Sequence, residues 1–155
     1  MIRIIVTGAA GRMGRRLVAN IAESGDLKLA GATERPGSEF LGLDAGTVAG
    51  VAPQGVRITD DFAGLVSQAD AVIDFSTGAV IANARLAASK GLSIVIGTTA
   101  LTADDKAELK KLADAGAKIV FASNYSVGVN LLFYLTKLAA QTLSDDFDIE
   151  IIEAH

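Results

Sequence analysis

Val6-Thr7-Gly8-Ala9-Ala10-Gly11-Arg12-Met13-Gly14 follows the apolar run from Met1 to Val6 and opens an amphipathic segment. That order predicts a strand, a tight turn and the start of a helix. Gly8 can take backbone angles closed to other residues, Gly11 lets a ligand lie against bare main chain, and Gly14 lets the new helix approach the strand closely. A bound pyrophosphate needs all three. The unpaired amides of the first helical turn, with the positive end of the helix dipole, point at an anion placed over the turn. Arg12 adds a charged donor there, and Ala9, Ala10 and Met13 complete the candidate phosphate-binding run.

The spacing is Gly-x-x-Gly-x-x-Gly rather than Gly-x-Gly-x-x-Gly, and glycine turns without a ligand are common, so support has to come from residues beyond the turn. Met13, Leu17 and Ile21 share one face of the predicted helix, Gly25 is a stop signal, and a second strand is expected from Leu27 to about Thr33. Glu34 stands at its end. An acid about 20 residues beyond the last glycine is the expected partner of the adenosine ribose hydroxyls. The neighbouring Arg35 suits a 2′-phosphate.

The sequence has 155 residues, 50% hydrophobic and 21% charged, which is enough chain for one well-buried core. A formal charge of −4 without a basic stripe argues against a nucleic-acid partner; the arginines at 12, 15 and 16 are too local a cluster. The absence of cysteine excludes disulfides and thiolate metal sites and is compatible with a reducing cytoplasm. With a single histidine besides, no metal site is expected. Met1 to Val6 is too short for a signal peptide, and no apolar run approaches the roughly 20 residues of a membrane span. The expectation is a soluble, cytoplasmic protein without a membrane partner.

Further along, Pro36 to Gly55 is rich in glycine, and its few apolar residues show neither helical nor strand period. It reads as a long loop, either a cover for the adenosine end of a cofactor or a disordered insertion. A short strand is expected over Val56 to Thr59 and a short aspartate-capped helix over Asp60 to Ser67. Ala71 to Ser76 is a buried-strand pattern with a polar end, followed by an alanine-rich helix from Ala79 to Lys90 closed by Gly91. Ser93 to Ile96 repeats the arrangement with Gly97-Thr98-Thr99 at its exit. Thr102 with Asp105 forms a capping box for a helix carrying Ala107, Leu109 and Leu112 and ending at Gly116. Lys118 to Phe121 is another strand with a polar exit, Ala122-Ser123-Asn124-Tyr125-Ser126. A long apolar helix comes next, over about Val129 to Leu143, then a last strand over Asp148 to Glu153. Strands alternating with helices define an α/β fold, a doubly wound parallel sheet of Rossmann type with its site at one edge.

His155 is the one side chain whose unperturbed pKa lies near neutrality, so it is a candidate acid or base, although a residue at the end of a chain is often idle. Asp74 serves either as a cap of the next helix or as a substrate contact, and Asn124 either as a turn-former or a contact. Thr98 and Thr99 are open to the same capping reading.

Taken together, Gly8 to Gly14, Glu34-Arg35, Asp74-Phe75-Ser76, Gly97-Thr98-Thr99, the run from Ala122 to Asn130 and the run from Ile149 to His155 resemble 4-hydroxy-tetrahydrodipicolinate reductase, an enzyme family of lysine and diaminopimelate synthesis. The resemblance spans essentially the whole chain. It implies an NAD(P)H-dependent oxidoreductase in which residues 8 to 13 hold the pyrophosphate, Glu34 the ribose and Arg35 the 2′-phosphate of NADPH. Gly97, Thr98, Thr99, Ala122, Ser123, Asn124 and Tyr125 would line the nicotinamide half, with Phe75 nearby. His155 would be the proton donor, and both NADH and NADPH are expected cofactors. The family continues past this histidine with a second histidine, a lysine and a run that binds the cyclic dicarboxylate substrate, and none of these is present. The expectation is therefore a dinucleotide-binding domain over 1–126 and the start of a substrate and oligomerisation domain over 127–155, weakly active or inactive alone. The full-length protein is expected to be a homotetramer. Exposed apolar surface is expected on the helix after Ser126 and on the last strand. Two other readings stay open, the cofactor domain of another amino-acid dehydrogenase and a non-catalytic NAD(P)-sensing module.

Overall fold

The computed structural model describes residues 1–143 and 147–152. The chain divides into two compact units, Met1–Ser123 and a second from Asn124 onward. In the first, strands β1 (Ile2–Thr7), β2 (Leu27–Thr33), β3 (Ile58–Thr59), β4 (Ala71–Asp74), β5 (Ser93–Ile96) and β6 (Lys118–Phe121) form one parallel sheet in the order β3-β2-β1-β4-β5-β6. Helices α1 (Arg12–Glu23), α2 (Ala45–Ala49), α3 (Val80–Ser89) and α4 (Ala103–Asp114) connect them. The sheet is the doubly wound, Rossmann-type arrangement expected from the alternation of strands and helices.

Alternate residues of the central strands feed two cores, one on each face of the sheet. Ile4 and Val6 of β1, with Leu29 and Ala32 of β2, pack with Val18 and Ile21 of α1. Ile5 of the same β1 faces the other way and joins Val72, Ile94 and Ile96 with Val80, Ala84, Ala87 and Leu109 of α3 and α4. A strand covered on both faces reads as a continuous apolar run, which is why β1, β4 and β5 stand out in the sequence. At the amino ends, Arg3 and Asp70 lock β1 to the start of β4 through a 2.7 Å ion pair and a 2.8 Å bond from the Arg3 amide. The Asp70 carboxyl is held down to about 2 by the Arg3 side chain and amide that donate to it.

Several expectations need correction. The buried face of α1 is Gly14, Val18, Ala19 and Ile21, while Met13 is 49% exposed, so the helix is rotated relative to the Met13-Leu17-Ile21 stripe. Tight packing at Gly14 decides this, because it draws that side of the helix onto the Gly8-Ala9 turn. The helix ends at Ser24 without a left-handed residue at Gly25.

Pro36 to Gly55 is not a structureless loop. Asp44 caps α2 by accepting from the Thr47 amide, and it also accepts from Gln54 N, each at 3.0 Å. Burial alone would raise the Asp44 pKa. The backbone N–H groups that donate to it, those of Thr47, Gln54, Gly55 and Gly46, outweigh this and the pKa falls. Phe40, Leu41, Val48 and Ala49 then pack on the α1-side core. The apolar residues are anchors set by long-range contact, and for that reason follow no local period.

Asp60 to Ser67 holds no α-helix; a 3₁₀ turn covers Val66–Gln68 instead, and Asp61 accepts from the Gly64 amide. β3 is shorter than Val56 to Thr59. The capping box at Thr102 and Asp105 is present, and Gly91 and Gly116 both take the left-handed conformation after their helices. Ala107 is exposed, leaving Leu109 and Leu112 to face the core.

In the second unit α5 (Val127–Leu143) starts two residues earlier than the apolar pattern indicates and buries none of its described residues. Leu131, Leu132, Phe133, Tyr134 and Leu135 are all exposed, so the helix carries the exposed apolar surface expected after Ser126. Asp148 to Ile152 form no strand, and Glu153 lies outside the described residues.

Candidate functional site

The last residues of the strands lie in one register row. Thr7 pairs with Thr33 on one side and Asp74 on the other, Asp74 with Ile96, Ile96 with Phe121, and Thr33 with Thr59. The next residues along the chain, Glu34, Gly8, Phe75, Gly97 and Ala122, therefore emerge side by side at the carboxyl edge. Strand order reverses between β1 and β4, and ligands of open parallel sheets bind in the crevice at such a reversal. A cleft of about 520 Å³ lies there, lined by Gly8, Gly11, Glu34, Arg35 and Phe75 among others.

The turn that floors the cleft is fully wired. Gly8 N and Ala9 N both donate to Thr33 O, at 2.9 and 3.0 Å, and Gly11 N donates to Gly8 O at 3.1 Å. Ala10 N donates to Glu34 Oε1 at 2.9 Å. With the amides of residues 8 to 11 committed internally, the donors left for an anion are those of the first turn of α1, beginning at Arg12 and Met13. An α-helix gives its first N–H groups no internal acceptor, and the N-cap Gly11 has no side chain to cap them. Ala9 and Ala10 are buried, so they shape the turn through the backbone and do not line the cleft.

The glycines are required by space. Gly8 has φ +71°, and a Cβ there would lie 3.1 Å from the Phe75 carbonyl oxygen. A Cβ on Gly14 would collide with Gly8 O and the Ala9 backbone. At the opposite wall, a Cβ on Gly97 would strike the edge of the Phe75 ring, so glycine at 97 lets that ring lie across the exit of β5. Thr7 Oγ1 is buried without a hydrogen-bond partner among the described residues, and Thr7 lines the cleft. Buried hydroxyls are ordinarily satisfied. A bare main-chain floor, free helical amides, an acid at the end of β2 and an orphan hydroxyl fit a dinucleotide.

Asp74 resolves as an internal support. It is fully buried; Oδ1 accepts from Ser76 N at 2.9 Å and Ser76 Oγ at 2.7 Å, and Oδ2 accepts from Asn83 Nδ2 at 2.9 Å. Both oxygens are occupied, which ties the Phe75 to Ala79 loop to α3. Thr98 is buried, with Oγ1 accepting from Ala100 N at 3.3 Å, whereas Thr99 is exposed. Neither lines the cleft, and nor do Ala122 and Ser123 at the exit of β6. Asn124 and Tyr125 open the second unit; Asn124 Oδ1 accepts from Ser126 N at 2.7 Å, the turn-forming role. His155 lies outside the described residues. No group of acidic, histidine or cysteine side chains that could hold a metal occurs among the described residues, nor does any helix long and apolar enough to cross a membrane.

Two features carry no signal in the sequence. Thr7, Thr33 and Asn83 line the cleft from positions that resemble ordinary strand ends and a helix interior. Arg15 donates from Nε to Ala10 O at 2.7 Å and sits over the Phe40 ring, 5.0 Å from its centroid. No local pattern links residues 15 and 40.

A parallel sheet in this order, with a glycine turn under the reversal point and an acid closing β2, defines the chain as a Rossmann-type domain of the dinucleotide-binding kind. Comparison with known proteins gives its particular kind. The chain belongs to the dihydrodipicolinate reductase family: the family model described as "Dihydrodipicolinate reductase, N-terminus" matches residues 2–125. It is 49% identical over 156 residues to a 4-hydroxy-tetrahydrodipicolinate reductase of Anaeromyxobacter sp. (strain Fw109-5), covering 100% of this chain and 57% of that protein. The chain thus spans a little over half the length of the curated relatives it matches. The fold is similar to a dipicolinate-bound dihydrodipicolinate reductase from Paenisporosarcina sp. TG-14, with TM-score 0.71 and 22% identity, over 90% of this chain and 53% of that one. It is also similar to the WlbA dehydrogenase from Chromobacterium violaceum in complex with NADH and UDP-GlcNAcA, with TM-score 0.65 and 20% identity, over 92% and 40% of the two chains.

Proposed function

We propose that this chain is the cofactor half of an NAD(P)H-dependent reductase that converts 4-hydroxy-tetrahydrodipicolinate to tetrahydrodipicolinate in diaminopimelate and lysine synthesis. The observation that carries the reading is the cleft at the sheet reversal, with Gly8 and Gly11 on its floor and the Glu34-Arg35 pair at its end. A bound nicotinamide dinucleotide supplies the hydride. The chain's own part is to bind and orient. Arg12 and Met13 offer first-turn amides, and Arg12 a guanidinium, to the pyrophosphate. Glu34 is held by the Ala10 amide with its carboxylate facing the cleft end, where it meets the ribose diol. Arg35 is exposed and makes no ion pair among the described residues, so it is available to a 2′-phosphate. The pair therefore supports use of both NADH and NADPH.

Phe75, with its ring edge against Gly97, forms the wall toward the nicotinamide half, and Thr98, Thr99, Ala122, Ser123, Asn124 and Tyr125 are assigned to that half by the resemblance to the family. His155 is assigned as proton donor on the same ground. Residues 1–126 form the cofactor domain in this reading and 127–155 begin the substrate and oligomerisation domain of a cytoplasmic homotetramer. The test is direct. The full-length protein is mixed with NADPH and the product of the dihydrodipicolinate synthase step, and absorbance at the nicotinamide band is monitored. Loss that depends on that product supports the assignment; tight binding of NADPH without turnover would replace it with a nucleotide-sensing role.

A further inference from the structure

The Ala10 peptide groups are gripped from two sides, and only one grip belongs to the residues assigned to the cofactor. Glu34 takes the Ala10 N–H at 2.9 Å. The Ala10 carbonyl is taken by Arg15 Nε at 2.7 Å, and the N–H of the same peptide bond, that of Gly11, goes to Gly8 O at 3.1 Å. The Ala10–Gly11 peptide plane is thus fixed at both ends. Arg15 itself is fixed by Phe40, whose ring lies 5.0 Å beneath the guanidinium carbon. Phe40 is in turn packed into the α1-side core with Leu41 and Val48 of the 36–55 segment.

We infer that Arg15 is a positioning residue for the pyrophosphate turn, and that the 36–55 segment acts on cofactor binding through Phe40 and Arg15. The inference rests on the dinucleotide reading of the cleft. A carbonyl at the N-terminal end of a helix, if free to rotate, would present negative charge to an anion seated over that turn. Arg15 holds this one in a neutralising, charge-assisted bond. Because Nε, the inner donor of the planar fork, makes the bond while the fork's face rests on an aromatic ring, a lysine cannot reproduce the arrangement. The pyrophosphate is common to NADH and NADPH, so the effect is equal for both. That separates Arg15 from Arg35, which acts on the 2′-phosphate alone.

The test uses the full-length protein with Arg15→Lys, Arg15→Gln, Phe40→Leu and the Arg15→Gln/Phe40→Leu double variant. Titration calorimetry with NADH and NADPH is accompanied by thermal melts and steady-state kinetics. Arg15→Lys and Arg15→Gln should each weaken both dinucleotides by about tenfold. Phe40→Leu should weaken them by about threefold, and the double variant should match Arg15→Gln within about twofold, because both changes break one linkage. The KM for either cofactor should rise while turnover at saturation holds, a split that general loss of stability does not produce. Arg15→Lys binding like the wild type would show that charge alone matters. An additive double variant, or losses confined to NADPH, would equally overturn the inference. Wild-type protein that binds neither dinucleotide removes the reading of the cleft and this inference with it; variants that match a binding wild type remove only the role of Arg15.

Discussion

Gly14→Ala tests the central packing claim most severely, because local propensity and tertiary contact predict opposite signs. Within a helix, alanine is favoured over glycine by about 1 kcal/mol. Gly14 lies inside α1, away from the left-handed region, so propensity alone predicts a more stable protein. The added Cβ, however, would collide with Gly8 O and come within 2.6 Å of Ala9 Cα and 2.8 Å of Ala9 C. These are backbone atoms and cannot rotate away as a side-chain tip would. Relief requires the turn to retreat from α1, and Gly8 N, Ala9 N and Gly11 N all hold it in place. Overpacking against rigid neighbours costs about 1–3 kcal/mol. Loosening two turn hydrogen bonds adds about 1 kcal/mol each. After the propensity gain, a net loss of about 3 kcal/mol is expected, measured as the shift in urea unfolding free energy of the full-length protein. Dinucleotide affinity should fall with it, because the retreating turn carries the cleft floor. Gly25→Ala is the control: a Cβ there meets nothing within 4 Å, and φ is not positive, so the change should be neutral or slightly stabilising. A Gly14→Ala protein at least as stable as wild type, with unchanged dinucleotide affinity, would refute the packing argument.

Arg35→Ala should weaken NADPH by about tenfold or more while leaving NADH nearly unchanged, since a charge-assisted contact to the 2′-phosphate is worth roughly 1.5–3 kcal/mol; equal losses in calorimetry would show that Arg35 does not read the phosphate. In the complete protein, His155→Gln should cut turnover by roughly 100-fold or more with NADPH affinity intact. Steady-state kinetics that keep most of the turnover at saturation would remove the proton-donor role. The Arg3–Asp70 bond predicts a definite pH dependence. The folded Asp70 pKa is depressed to about 2, so its contribution is complete above the unfolded value of about 4 and is lost as pH falls toward 2. The stability gap between wild type and Asp70→Asn, measured by urea unfolding, should be flat above about pH 5 and close between about pH 4 and 2; a gap that persists to about pH 2 would contradict it.

Most of the sheet was legible in the sequence because its strands are covered on both faces and appear as unbroken apolar runs, each closed by a polar exit. The glycine turn and Glu34 were legible for a related reason. A left-handed turn, a close helix approach and an acid at a strand end each demand one residue type at one spacing. The capping box at Thr102 and Asp105 and the left-handed Gly91 and Gly116 are local in the same sense, each set by a few adjacent residues. Tertiary structure alone decided the rest. The 36–55 segment is anchored by contacts with α1 and β3 that leave no period in its own sequence. The buried face of α1 passes through Gly14 and Val18, not Met13, because the turn admits no side chain at 14. Asp74 was open between cap and substrate contact until folding brought Ser76 and Asn83 onto its two oxygens. Arg15 acquires a role because residues 10 and 40 meet around it, and pairings across such distances are specified by packing, which no short window of sequence contains.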